Sequence, residues 1–237
     1  MTKNHYIRFR PGPTLQLFMA MILFVASAAV VSGGNLPLWE EAAFWTFYNL
    51  PNFVEPYLLA ITQLGNIFVL FGLAIFYAVY RRYGILLKLL LSGCLAYVVS
   101  GVAKDLLGRG RPAEFFSDLV VRDYIVRGPG FPSGHAALAT AIAVTLSTVL
   151  PRKHKWWVMT VLIGGVSISR VFLGVHLPMD VVGGIAVGWA CGEVFKYVDI
   201  VDKTKHPKPG ITDKLRKKKG KAKKSSKRKQ KGLKAKK

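Results

Sequence analysis

The stretch FPSGHAALATAIAVTLSTVL, residues 131–150, changes character at its fifth position. Its first four residues are typical of a turn, because proline and glycine suit backbone conformations that a helix interior avoids. From Ala136 onward the residues are mainly apolar, and this run predicts a helix inside a membrane. His135 therefore lies at the mouth of a predicted membrane helix, where a polar side chain needs an explanation.

The rest of the chain is also apolar, yet it carries a high positive charge. Of its 237 residues 51% are hydrophobic, and its net charge is +22. The charge is concentrated at the C-terminal end, where residues 201–237 contain eighteen Lys or Arg and two Asp, a net of +16. The remaining +22 − 16 = +6 belongs to residues 1–200. The composition predicts an apolar membrane body followed by a basic tail.

Hydropathy divides the body into six apolar runs, which predict an all-α, six-helix integral membrane bundle over residues 1–200. The runs are Leu15–Val31, Tyr57–Tyr80, Ile85–Ala103, Ala136–Leu150, Trp156–Leu173 and Val181–Val198. Residues 36–51, LPLWEEAAFWTFYNLP, predict a further segment at the membrane surface, with Glu40 and Glu41 among aromatic side chains. Gly184, Gly188 and Gly192 recur every four residues and predict a face for close helix packing.

Loop charges predict the orientation in the membrane. The N-terminal segment, the connection RRYG after the second run, and the connection PRKHK after the fourth are basic. With an even number of spans they share one side with the tail, and the positive-inside rule makes that side cytoplasmic. We therefore expect a multi-pass protein of the cell (inner) membrane with both termini in the cytoplasm. The tail, residues 201–237, is expected to be disordered.

Three polar clusters fall on the opposite, extracytoplasmic face. They are KDLLGRGRP with Lys104 and Arg111, PSGH with Ser133, Gly134 and His135, and SRVFLGVHLPMD with Arg170, His176 and Asp180. Cations beside the N-terminus of a helix form an anion site, and phosphate suits such a site well. Two histidines there suggest a nucleophile and a proton donor. If Pro178 lies in the first helical turn, Asp180 can reach one imidazole nitrogen of His176 and leave the other free to attack.

The clusters resemble the three motifs of the type 2 phosphatidic acid phosphatase family. They match K-x6-R-P from Lys104 to Pro112, P-S-G-H from Pro132 to His135, and S-R-x5-H-x3-D from Ser169 to Asp180. The resemblance implies a six-helix membrane lipid phosphatase in which His176 attacks phosphorus, His135 protonates the leaving oxygen and Asp180 orients His176. It implies that the phosphate is held by Lys104, Arg111, Ser133, Gly134 and Arg170. No metal or other cofactor is expected, because three cations already neutralise the charge.

Alternatives to this interpretation come from other classes of protein. An anion transporter could use Lys104 and Arg170, but it leaves the carboxylate behind His176 unexplained and predicts polar groups at midspan. Thr62, Gln63 and Asn66 form such a group, for which helix–helix hydrogen bonds are expected. The basic tail is typical of nucleic-acid binding, yet it lacks aromatic residues for stacking. Its expected partner is anionic lipid headgroups, and the alternative is a solvated tail that only enforces topology.

The substrate is not fixed by any residue. The expected partner of the site is a lipid phosphate, either a monoester or a diphosphate, within the lipids of the membrane. Undecaprenyl diphosphate of a bacterial cell envelope is favoured. The alternatives are phosphatidylglycerophosphate, phosphatidic acid and the 1-phosphate of lipid A.

Overall fold

The computed structural model describes residues 5–9, 14–123 and 128–202. Within these ranges Phe9–Val198 form one compact helical unit. Its helices are α1 (Thr14–Ser32), α2 (Leu38–Tyr48), α3 (Glu55–Thr62), α4 (Ile67–Val79), α5 (Tyr83–Leu107), α6 (Pro112–Phe115), α7 (Gly134–Leu146), α8 (Arg152–Met159), α9 (Val166–Phe172) and α10 (Pro178–Lys196). Short 3₁₀ turns cover Asn52–Val54 and Gln63–Gly65, and a π-helical segment, Thr160–Gly165, joins α8 to α9.

Two short strands add to this helical body. β1 (His5–Phe9) and β2 (Val198–Asp202) are hydrogen-bonded to each other as a two-stranded sheet. The predicted all-α class is therefore correct for the helical unit but omits this strand pair, which hydropathy does not predict. The predicted basic tail lies outside the described residues from position 203 onward.

The six apolar runs all form helical structure, but they do not form six continuous helices. The segments Leu15–Ser32 and Tyr83–Phe115 are long and apolar enough to cross a bilayer. The second run is bent by 61° between Asn52–Gly65 and Ile67–Val79, which supply a third candidate if they count as one span. By length and composition the described residues thus contain two or three candidate spans, and the count of six stays a prediction.

The bend in the second run has a local cause at Asn66. Its backbone is extended, and its side-chain Oδ1 accepts a hydrogen bond from the N–H of Phe68 at 3.2 Å. Asn66 therefore caps the N-terminus of α4, which separates α4 from the helical turns before it. The side chain of Asn66 was predicted to bond to another helix, but it bonds instead to the backbone of its own helix start.

Helix α7 lies in the interior and packs against α5 and α10. Every side chain from Ala136 to Leu146 is buried. The glycine face of α10 allows this contact, because an added Cβ at Gly188 would collide with the carbonyl oxygen of Ala137, and one at Gly184 with that of Ser133. The predicted close packing at the glycine repeat is confirmed, and it fixes the start of α10 against the start of α7.

Large apolar side chains cover the outside of α1, α4 and α5. The exposed fractions include 64% for Leu15 and for Val25, 77% for Phe68, 72% for Val79 and 79% for Leu106. A water-soluble protein rarely exposes so continuous an apolar surface, whereas a bilayer requires one. The outer surface therefore agrees with a membrane-embedded helical body.

The segment predicted at the membrane surface forms α2. Leu38 and Trp39 are exposed, but the side chain of Glu40 is fully buried. The place of this segment at the membrane surface stays a prediction, but the side chain of Glu40 does not belong to its exposed face. Its carboxylate points into the protein, where Arg109 neutralises it.

Candidate active site

The turn before α7 places Ser133 and Gly134 at the N-terminus of that helix. The N–H of Ser133 donates to the carbonyl oxygen of Asp180 at 2.8 Å, which ties this turn to the first turn of α10. The hydroxyl of Ser133 is buried and has no hydrogen-bond partner among the described residues. An added Cβ at Gly134 would point into open space, so a ligand can approach the backbone there. The first N–H groups of a helix have no intrahelical partners and suit an anion.

His176 and Asp180 lie on either side of the start of α10. α9 ends before Gly174, whose φ of +70° turns the chain back, and Pro178 is the first residue of α10. Nδ1 of His176 is 3.4 Å from Oδ2 of Asp180, and this oxygen also accepts the N–H of Leu177 at 2.9 Å. With Nδ1 turned to the carboxylate, Nε2 is the nitrogen available for attack.

The environment of His176 disfavours its protonated form. Burial lowers the pKa of this imidazole well below its usual value, and nearby positive charge lowers it further. The groups that supply this charge are Arg170, Lys104, Arg111 and His135. Hydrogen bonds connect the three clusters around this residue, because Arg111 donates to the carbonyl oxygen of Val175 and the N–H of Ser133 donates to that of Asp180. A neutral imidazole at neutral pH is what nucleophilic attack requires.

Backbone carbonyls hold two of the three cations. Nζ of Lys104 donates to the oxygens of Pro129 and Gly130 at 2.7 and 3.0 Å, which uses two of its three N–H donors. Arg111 donates through Nη1 to the oxygen of Val175 at 2.8 Å, directly before His176. Both side chains are half-buried, so each keeps a solvent-accessible part beside the site.

The third cation, Arg170, is almost completely buried, with an exposed fraction of 1%. Its Nη1 donates to Oγ1 of Thr62 at 2.9 Å and to Oδ2 of Asp123 at 2.8 Å. Its Nε is buried and has no hydrogen-bond partner among the described residues. Buried donors in native proteins are nearly always satisfied by protein, water or ligand. The Nε of Arg170 and the hydroxyl of Ser133 can therefore donate hydrogen bonds to an anion.

His135 stands in the first turn of α7 and is half-buried. Its backbone packs against Gly65, where an added Cβ would come within 2.8 Å of the carbonyl oxygen of His135. Protonation of His135 would disfavour protonation of His176, so the two rings influence each other electrostatically.

Sequence reasoning missed four residues that support the site. Arg109 pairs with both Asp180 and Glu40, while Thr62 and Asp123 hold Arg170. The sequence indicates Arg109 only weakly, as a basic residue two positions before Arg111. Glu40 and Thr62 lie far away in sequence, and neither has a periodic or motif signature. The structure shows no group of three or more His, Cys, Asp or Glu side chains arranged to hold a metal ion in its described ranges.

Comparison with known proteins yields a match to the model of the PAP2 superfamily over residues 85–200. The chain is 32% identical over 122 residues to an undecaprenyl-diphosphatase of Sulfolobus acidocaldarius, covering 51% of this chain and 55% of that protein. The chain thus spans about half the length of the curated relatives it matches. All three clusters lie inside the matched region.

Two solved structures are similar to the fold. One is LpxE of Aquifex aeolicus, with a TM-score of 0.60 and 28% identity, covering 65% of this chain and 92% of that one. The other is a transmembrane PAP2-type phosphatidylglycerolphosphate phosphatase of Bacillus subtilis, with a TM-score of 0.63 and 25% identity, covering 76% and 94%.

Proposed function

We propose that the chain is a metal-independent membrane lipid phosphatase of the PAP2 superfamily, whose model matches residues 85–200. It hydrolyses a phosphate monoester or diphosphate of a lipid at the extracytoplasmic face through a phosphohistidine intermediate. The observation that carries this proposal is the pairing of His176 with Asp180 inside a cluster of cations. A neutral imidazole oriented by a carboxylate is a nucleophile, and the cations attract its phosphate target.

In the first step Nε2 of His176 attacks phosphorus, and the bond from phosphorus to the leaving oxygen breaks. His135 donates a proton to that oxygen when the leaving group needs one. Asp180 stabilises the positive charge that develops on the His176 ring. The products of this step are a phosphohistidine and the leaving group, which is a lipid alcohol from a monoester and a lipid monophosphate from a diphosphate.

In the second step water attacks the phosphohistidine. The neutral form of His135 takes a proton from the water, the bond between nitrogen and phosphorus breaks, and inorganic phosphate leaves. Lys104, Arg111 and Arg170 hold the phosphate oxygens through both steps. The backbone at Ser133 and Gly134 adds N–H donors at the start of α7.

Undecaprenyl diphosphate is the proposed substrate. A relative that is 32% identical over about half of this chain is an undecaprenyl-diphosphatase, which supports the choice. Phosphatidylglycerophosphate is supported by the Bacillus subtilis structure. Phosphatidic acid and the 1-phosphate of lipid A are the other candidates for the same site chemistry.

The proposed architecture is a six-span bundle in the cell (inner) membrane, with both termini in the cytoplasm. The apolar outer belt of α1, α4 and α5 supports the membrane part of this proposal. Residues 201–237 form a separate basic segment whose proposed partner is the anionic headgroups of the cytoplasmic leaflet. Nucleic acid is not proposed as a partner.

The experiment is phosphate release by the purified full chain in detergent micelles, with each of the four lipids in turn and with chelator present. We expect turnover of at least one lipid, and we expect His176→Ala to abolish it. His154→Ala is the matched control, because His154 is exposed in the first turn of α8 and is far in sequence from the clusters. The proposal would be contradicted if the folded wild-type protein released phosphate from none of the four lipids. It would also be contradicted if phosphate release depended strictly on added Mg²⁺.

A further inference from the structure

Two buried side chains that are not among the predicted site residues, Arg109 and Glu40, form a set of hydrogen bonds that ends on Asp180. Nη1 of Arg109 donates to Oδ1 of Asp180 at 2.9 Å. The same guanidinium grips Glu40 with both terminal nitrogens, Nη1 to Oε1 at 3.0 Å and Nη2 to Oε2 at 2.7 Å. The side chains of Glu40 and Asp180 have no exposed surface, and that of Arg109 is 5% exposed.

Glu40 also fastens α2 to the first turn of α10. Its Oε1 accepts the N–H of Met179 at 2.9 Å. Carboxylates are stabilised beside the N-terminal N–H groups of a helix. The turn that carries Asp180 is therefore held to α2 at two points, once through this backbone contact and once through Arg109.

The consequence for Asp180 is that both of its oxygens are fixed. Oδ2 accepts the N–H of Leu177 and faces Nδ1 of His176, while Oδ1 accepts from Arg109. Rotation of the carboxylate would break at least one of these contacts. The single positive charge of Arg109 is shared between two carboxylates, so the negative charge that Asp180 presents to His176 depends on Glu40.

We propose that Arg109 and Glu40 are positioning residues for the nucleophile. They act through Asp180 and set the angle and charge with which its carboxylate orients His176. This inference rests on the proposed phosphatase function, but it concerns residues that touch neither His176 nor the phosphate-binding cations in the described structure. A merely structural ion pair would hold α2 in place without an effect that depends on Asp180.

The first test compares Glu40→Gln and Arg109→Lys with Glu41→Gln. Glu41 is the matched control, because it undergoes the same chemical change one residue later, and in the described part of the structure its side chain accepts a hydrogen bond only from its helix neighbour Trp45. Phosphate release by the full chain should show kcat reduced by about tenfold to a hundredfold in the two test variants, the range known for partners that orient a functional histidine. KM should stay at the wild-type value, and Glu41→Gln should match the wild type. Unchanged kcat in folded Glu40→Gln and Arg109→Lys would overturn the proposal.

The second test asks whether the effect passes through Asp180. Glu40→Gln is combined with Asp180→Asn, and the two single variants complete a double-mutant cycle. If Glu40 acts through Asp180, Glu40→Gln should cost little further activity once Asp180 is an asparagine. Effects that multiply across the cycle would show a separate structural role and overturn the proposal. If Glu40→Gln fails to fold, judged by size-exclusion chromatography and thermal unfolding, Arg109→Lys enters the same cycle.

A third readout keeps this inference apart from the phosphatase proposal. If the wild-type protein releases no phosphate from any lipid tested, the function is wrong but the positioning claim is still measurable. In histidine-labelled protein, the ring ¹⁵N resonances of His176, assigned with a His176→Asn variant, should shift in Glu40→Gln and stay in place in Glu41→Gln. Identical His176 resonances in wild type and Glu40→Gln would overturn the inference.

Discussion

Oδ2 of Asp180 lies 3.4 Å from Nδ1 of His176, although the two residues belong to different structural elements. His176 stands in the connection after α9, and Asp180 is the third residue of α10, with Pro178 at the start of that helix. The helix start therefore turns the carboxylate back toward the ring. This arrangement assigns different roles to the two ring nitrogens, because Nδ1 faces the carboxylate and Nε2 is left available for attack.

The separate role proposed for His135 predicts a dependence on the substrate. Cleavage of a lipid monophosphate expels an alkoxide, which needs a proton, whereas cleavage of a diphosphate expels a phosphate whose pKa is about 6. We expect His135→Ala to slow monophosphate cleavage by ~10²–10⁴, the loss typical of a missing general acid, and diphosphate cleavage by distinctly less. Steady-state kcat on both substrate classes measures the ratio. Equal losses on both would show that His135 binds phosphate or activates water instead.

The environment of His176 predicts a pH dependence. Its pKa lies well below the ordinary histidine value of about 6.5, chiefly because the ring is buried and also because cations surround it. Protonation of the ring removes the nucleophile, so attack should persist as the pH falls to about 6.5. Burial raises the pKa of Asp180 to about 6, so below this pH its protonation should weaken the orientation of His176. Rapid-quench rates of phosphoenzyme formation, measured with a monophosphate and with a diphosphate, should therefore show no shared acid limb at or above about pH 6.5. A shared limb at or above it would mean that the ring titrates like an exposed histidine.

The glycine face of α10 predicts an effect on stability. Gly188→Ala would drive a methyl group into the carbonyl oxygen of Ala137, which belongs to the backbone of a buried helix. We expect this overpacking to lower the free energy of unfolding by about 1–3 kcal/mol. Gly101→Ala is the control, because nothing lies within 4 Å of the added Cβ. Reversible unfolding in detergent measures both variants, and equal stability would contradict the close packing of α7 on α10.

The proposed orientation predicts which loops an impermeant thiol reagent reaches in intact cells. In a background without cysteines (Cys94→Ala, Cys191→Ala), Ser117→Cys should react from outside and Lys153→Cys should not. Both positions are exposed, so accessibility of the side chain does not separate them. Lysed cells give the control in which both cysteines react. The reverse pattern in intact cells would place the clusters in the cytoplasm.

The sequence was informative where chemistry is local. Apolar runs predicted the helical regions, and the spacing from His176 to Asp180 predicted a contact across the first turn of α10, since both follow from a few neighbouring residues. The kink at Asn66 was not predicted, because hydropathy records that a run is apolar and is insensitive to one capping amide. The strand pair was not predicted either, because β1 and β2 are far apart in sequence and hydropathy does not indicate which distant segments pair.

The supporting residues could not be predicted, since they depend on tertiary contacts. Glu40 and Arg109 are 69 positions apart, and Thr62 and Arg170 are 108 apart. The sequence predicts Glu40 as a surface residue in an amphipathic segment. In the structure α2 packs against α10, and the side chain of Glu40 points inward. A buried charge needs a partner, but a sequence does not say which partner.

The most direct measurement of the central claim is a trapped phosphoenzyme. The purified full chain is mixed with a ³²P-labelled lipid phosphate or diphosphate that it hydrolyses, and the reaction is quenched within one turnover. We predict an acid-labile, base-stable label on the wild-type chain, present in His154→Ala and Asn66→Ala, absent in His176→Ala, and located on His176 by peptide mapping. A label on another residue, or hydrolysis by folded His176→Ala at the wild-type rate, would contradict the assignment of His176 as the nucleophile.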